Sequence, residues 1–173
     1  MTTTAFIIEI VRGTPRWVWA LLALVLYLGY TSTKDRTIDV RRLLIMPLAM
    51  VGVSLSSLIA GHVSVEAATA WLAALSLGAA GGARLGLASG AEPGEQPMTV
   101  RLPGEWLSLV LIIVMFASRY VFAVILAIAP GYASDPGFAV VRSLLIGGLG
   151  GLFLGRGIAM ASLGFRGRSV VAP

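Results

Sequence analysis

Residues 106–129 read WLSLVLIIVMFASRYVFAVILAIA, an apolar run broken by one full charge, Arg119. As a helix this run rises about 36 Å, enough to cross the roughly 30 Å of hydrocarbon in a bilayer. Pro130 and Gly131 follow at once and end it. The segment therefore reads as a transmembrane helix, and the rest of the chain is read outward from it.

Four further stretches have the same character. The spans run over about 17–33, 43–61, 66–82, 106–129 and 138–163. In the first, Trp17 and Trp19 mark one end and Tyr27 and Tyr30 the other, the spacing of two interfacial aromatic belts. The second has Pro47 near its start and Ser54, Ser56 and Ser57 in its body, where hydroxyls bond to backbone carbonyls or to a neighbouring helix. The third is rich in Ala and Gly and suits the inside of a bundle. The fifth is long and Gly-rich and carries Arg142 and Arg156. Before the first span, AFIIEIVR (residues 5–12) is too short to cross and reads as an interfacial helix, with Glu9 and Arg12 toward water. The expected fold is an all-α membrane protein. It is a five-transmembrane helix bundle with a short N-terminal interfacial helix, in one domain over residues 1–173.

Composition agrees. The chain is 57% hydrophobic and 12% charged, about half the charged fraction of a soluble domain, roughly 25%. That leaves too little polar surface to face water on every side. There is no cysteine and one histidine, His62, which excludes disulfides, thiolate chemistry and histidine metal clusters. No metal or cofactor is expected. The net charge of +5 lies mainly in connections between apolar runs, so it encodes topology and not nucleic-acid binding.

Lys34, Arg36, Arg41 and Arg42 lie in the first connection, Arg84 and Arg101 in the third, and Arg166 and Arg168 in the tail. The alternate connections have no Lys or Arg. Positive charge stays inside, which places the N-terminus outside and the C-terminus in the cytoplasm of a bacterial inner membrane. Residues 82–104 form the longest connection, with Pro93, Pro97 and Pro103. In it, Met98–Leu102 alternates like a strand and pairs with Gly86–Ser89 in a small hairpin; a disordered acidic loop is the alternative.

Arg119 lies 13 residues from Trp106, near mid-membrane, where a central Arg costs about 2.5–3.5 kcal/mol. Glu105, Ser108, Ile112, Met115, Arg119 and Phe122 share one helix face, which should turn inward. Arg119 then bonds to helix carbonyls, to the serines of the second span or to water, or it holds an anion. Arg142 reads as an anchor or a partner of Asp135, and Arg156 as an arginine that snorkels to the inner interface. The two lie 14 residues apart and border one groove with Arg119 between them in depth. With no carboxylate in mid-span, the expected ligand-binding set is Arg119, Arg142, Arg156 and Ser108, and the expected guest is an anionic ligand or lipid headgroup.

Gly147, Gly151 and Gly155 recur every fourth residue, and Ala74, Gly78, Gly82 and Gly86 do the same in the third span. Such stripes let helix backbones approach closely. Spans three and five are expected to pack through them, or one stripe makes a homo-oligomer contact. No Ser–His–Asp arrangement, HExxH, Walker loop or intramembrane Asp pair is present, so no enzyme is expected. His62 and Glu66 flank one loop and read as a surface contact.

TPRWVWALLALVLYLG, RRLLIMPLAMVGVSLSSL and LPGEWLSLVLIIVMFASRYVFAVILAI resemble a group of short bacterial inner-membrane proteins catalogued only as a domain of unknown function. The resemblance implies a multi-span membrane protein, with a basic residue at Arg119, and no assigned activity. A distant likeness to CcdC-like membrane proteins brings no thiol chemistry, since no CxxC is present. Two readings follow: a small membrane protein binding or transporting an anionic ligand or lipid headgroup, and an accessory subunit docking on a larger membrane complex through its Gly faces. A membrane enzyme acting on lipid-linked substrates comes third.

Overall fold

The structure is a computed structural model, and it describes residues 12–60 and 64–166. Among the described residues five long helices dominate: α1 (Arg16–Thr31), α2 (Val40–Ala60), α3 (Val65–Leu87), α4 (Trp106–Ile128) and α5 (Pro136–Arg166). Between them lie β1 (Arg36–Asp39), β2 (Glu92–Pro93), β3 (Thr99–Leu102) and a 3-10 turn, Pro130–Ser134.

Among the described residues, three helices are long and apolar enough to cross a membrane: α3, α4 and α5. The expectation of five spans is therefore met only in part. At 16 residues, α1 rises about 24 Å, short of the roughly 30 Å that hydrocarbon requires. α2 is 21 residues long, with Arg41 and Arg42 in its first turn and Pro47 inside it. The interfacial helix expected over residues 5–12 lies, except for Arg12, outside the described residues, as does His62.

The helix ends have local causes. Ser64 caps α3, its Oγ accepting from the Ala67 N–H at 3.3 Å. Asp135 does the same for α5, its Oδ1 accepting from the Phe138 N–H at 2.8 Å. Asp135 is thus a cap and makes no ion pair with Arg142, so the pairing alternative for Arg142 is not met. The 3-10 turn folds α4 back onto α5, where Phe138 meets Phe122 edge-on with ring centroids 5.6 Å apart.

The fold is not all-α. β1 and β3 pair antiparallel, from Arg36 opposite Leu102 to Asp39 opposite Thr99, and β2 adds to the other edge of β3. The alternation of Met98–Leu102 does form a strand, but its partners are Arg36–Asp39 and Glu92–Pro93. Gly86 and Leu87 belong to α3, which runs five residues past its expected end at 82. Val100 and Leu102 turn inward and form a core with Val40, Met160 and Ala161, so the sheet seats on the last turns of α5. The sheet defines one end of the bundle, called here the sheet end.

The tightest packing joins α3 and α5. A Cβ on Gly151 would strike the Leu75 carbonyl, one on Gly155 the Ala79 carbonyl, and one on Gly82 the Leu152 carbonyl. Gly78 and Gly147 are closed off in the same way by the Gly148 and Trp71 carbonyls. The two backbones meet with no side chain between them, the geometry small-residue stripes permit.

Elsewhere the exterior is apolar. Leu77 is 76% exposed, Ile45 64% and Trp106 69%. A water-soluble monomer rarely carries so continuous an apolar surface.

Candidate functional site

α1 and α4 run antiparallel. Near the sheet end they touch, with Gly29 of α1 against Leu109 of α4, and the Glu105 N–H donates to the Ser32 carbonyl at 3.1 Å. A groove of about 1060 Å³ opens between them, with Ala49 and Val53 of α2 contributing to its lining. This is at the upper end of the range for ligand pockets, about 300–1,000 Å³.

Where α1 and α4 face each other, the groove has a polar end, level with the start of α1, and an apolar end toward the sheet; beyond the polar groups, Ala123, Val124, Ala127 and Ile128 of α4 add further apolar lining. Toward the sheet it is lined by Leu21, Val25 and Leu28 of α1 and by Ile112, Met115 and Phe116 of α4. The polar side chains on its wall are Thr14, Arg119 and Tyr120. The Thr14 and Tyr120 hydroxyls share a hydrogen bond of 2.7 Å. This contact fixes where α1 begins: its first turn lies level with Tyr120, while α4 continues to Ile128, about 12 Å further.

Arg119 is half-buried. Its Nη2 donates to Ser54 Oγ of α2 at 3.0 Å, so one of the serines of the second span meets it. That is its one hydrogen bond among the described residues. A guanidinium has five N–H donors, and Ser54 takes one of them. No carboxylate lies within ion-pair distance of it among the described residues. The nearby charge that acts on it is that of Arg142, which is also positive.

The four expected ligand residues are not brought together. Of Arg119, Arg142, Arg156 and Ser108, only Arg119 lines the groove. Arg156 does not snorkel. It is buried, 6% exposed, and its Nη2 donates to Glu105 Oε2 in an ion pair. Glu105 stands just before α4 and makes no side-chain cap there, because its carboxylate turns to α5 instead. The expected surplus of three unpaired arginines is therefore reduced. The small-residue positions Gly78, Gly82, Gly147, Gly151 and Gly155 lie between α3 and α5 and away from the groove.

Near the Glu105–Arg156 pair is a polar junction. Arg36 Nη2 donates to Ser32 Oγ at 3.2 Å, and the Gly104 N–H donates to Asp35 Oδ1 at 2.7 Å. Burial, and then the charge of Arg42, push the Arg36 pKa below its ordinary value. These groups join α1, the sheet and α4. Sequence reasoning missed Thr14 and Tyr120 as groove residues. The signal was present, a tyrosine beside an arginine in an apolar helix, but its partner lies 106 residues away. Among the described residues, no cluster of three or more His, Cys, Asp or Glu could hold a metal ion.

Comparison with known proteins gives kinship without an activity. A stretch of 78 residues, 45% of this chain, is 31% identical to the Uncharacterized protein PM0739 of Pasteurella multocida (strain Pm70) and covers 61% of that protein. The match thus spans less than two thirds of that relative's length. No solved structure matches. Residues 2–166 match the family model described as Family of unknown function (DUF6622). With nearly its whole length covered, the chain belongs to that family of unknown function.

Proposed function

We propose that this is an integral membrane protein that holds an anionic lipid in the groove between α1 and α4, with Arg119 as the anchor for the phosphate. One observation carries the reading: among the described residues, Arg119 lines a largely apolar groove with one neutral hydrogen-bond partner and no carboxylate. A charge in hydrocarbon needs a counter-charge or water. Phosphate oxygens accept from guanidinium in charge-assisted pairs, and acyl chains suit the remaining wall. The positive charge of Arg142 adds to the same demand.

The membrane location is supported by three apolar helices of spanning length and by the apolar exterior. The distribution of Lys and Arg favours the sheet end as the cytoplasmic side of a bacterial inner membrane. Docking on a larger complex through the Gly faces has less support, because these faces are already engaged between α3 and α5.

The test is lipid retention. Wild-type protein purified in a neutral detergent should keep phosphatidylglycerol in native mass spectra in preference to phosphatidylcholine. Arg119→Gln should lose that preference, and Arg119→Lys should keep part of it. Equal retention of the two lipids by wild type would overturn the proposal.

A further inference from the structure

The groove has a direction, and we infer that the lipid lies in it with its phosphate recessed at Arg119 and an acyl chain running toward the sheet end. This inference rests on the lipid-binding reading of the groove and deepens it.

Three observations fix the direction. First, the polar lining groups, Thr14, Arg119 and Tyr120, lie together where α1 begins. Second, the wall from there to the sheet end is apolar on both sides, with Leu21, Val25 and Leu28 facing Ile112 and Met115. Third, the groove is closed at the sheet end, where Leu109 fills the space over Gly29. A chain inserted in this sense puts its methyl end at the closed floor and its charge at the guanidinium. A chain run the other way from Arg119 would meet Ala123, Val124, Ala127 and Ile128 of α4 with no α1 lining residue opposite, and a phosphate placed at the sheet end would lie among aliphatic side chains with no donor, which costs several kcal/mol.

The short α1 sets the depth. Its first turn lies level with Tyr120, about 12 Å before the end of α4. A phosphate at Arg119 is therefore drawn below the level at which the headgroups of neighbouring lipids end, into a notch beside α1. The Thr14–Tyr120 hydroxyl pair lies at the rim of that notch and can bond the glycerol or headgroup oxygens. A lipid with a small polar headgroup fits such a notch better than one with a bulky trimethylammonium group. Charge and size thus act in the same direction.

Bromine quenching of tryptophan reads the orientation. Trp17 lines the polar end, and Ile112→Trp places a reporter in the apolar end. Val25→Trp reads the same apolar station from the opposite wall, should the first variant misfold. Full-length protein in detergent is titrated with phosphatidylglycerol brominated either near the ester or near the methyl end of its chains. Each reporter is isolated by difference, against Trp17→Phe or against wild type. Methyl-end bromines should quench the apolar-end tryptophan more than Trp17, and ester-end bromines the reverse. Arg119→Gln should raise the lipid concentration for half-quenching roughly tenfold or more. Saturable quenching with the two patterns exchanged would overturn the orientation and leave lipid binding intact. No saturable quenching at either station would overturn both.

Discussion

Arg156 of α5 donates to the carboxylate of Glu105, which stands just before α4, and theirs is the one ion pair among the described residues. The side chains are 7% and 20% exposed, so neither charge is well solvated. Removing one partner leaves the other charged and buried, which costs about 3–5 kcal/mol. Glu105→Gln should therefore lower the thermal unfolding midpoint markedly in detergent. The double variant Glu105→Gln with Arg156→Met should recover much of the loss. A double variant no more stable than the single one would show that the pair is not the source of the effect.

Gly151→Leu should destabilise by about 1–3 kcal/mol or more, the cost of overpacking a closed contact. Its new side chain meets the Leu75 backbone, which cannot yield as a side chain can. Gly150→Ala one position earlier is the control. A Cβ there lies 4.0 Å from its nearest neighbour, an ordinary contact with Leu75 Cδ1. Alanine should be neutral or stabilising by up to about 1 kcal/mol, since it favours helix over glycine. Circular dichroism melts of the two variants separate steric closure from a general preference for glycine.

Ser54→Ala should remove the one hydrogen bond of Arg119 seen among the described residues. A hydrogen bond to a charged group contributes about 1.5–3 kcal/mol. The loss should be largest in a neutral detergent and should shrink when phosphatidylglycerol is added, because the phosphate supplies the missing acceptor. Melting curves with and without the lipid check this. A deficit of equal size in both conditions would count against a lipid phosphate at Arg119.

Leu102→Ala should cost about 2–3 kcal/mol, the range for truncating a buried aliphatic side chain. Leu102 is 8% exposed and packs with Val100 and Met160 between the sheet and α5. Arg101→Ala on the opposite face of the same strand should stay within about 0.5 kcal/mol. Hydrogen exchange at β1 and β3 would report the loosening directly.

The helices were legible because apolar length and periodicity are local properties. Trp106, Pro130 and Gly131 bounded α4 to within one residue of its observed end at Ile128. The glycine spacing was legible for the same reason, since a repeat of four residues marks one face of a helix. β1 was not legible. Its four residues are too few to show a period, and its partner lies some sixty residues away in another connection. The Glu105–Arg156 pair was hidden likewise, because depth along two helices says nothing about whether their faces meet. In the site, Arg119 was visible as an anomaly of cost. The groove beside it depends on how the beginning of α1 sits against α4 and α2, which no single helix encodes.

The pairing of β1 with β3 carries a parity rule. One strand lies between α1 and α2 and the other between α3 and α4, yet they share backbone hydrogen bonds. Two segments so joined cannot be separated by a bilayer. On the proposed membrane placement, the polypeptide leaving β1 therefore traverses the bilayer an even number of times before it reaches β3, whichever side the sheet occupies.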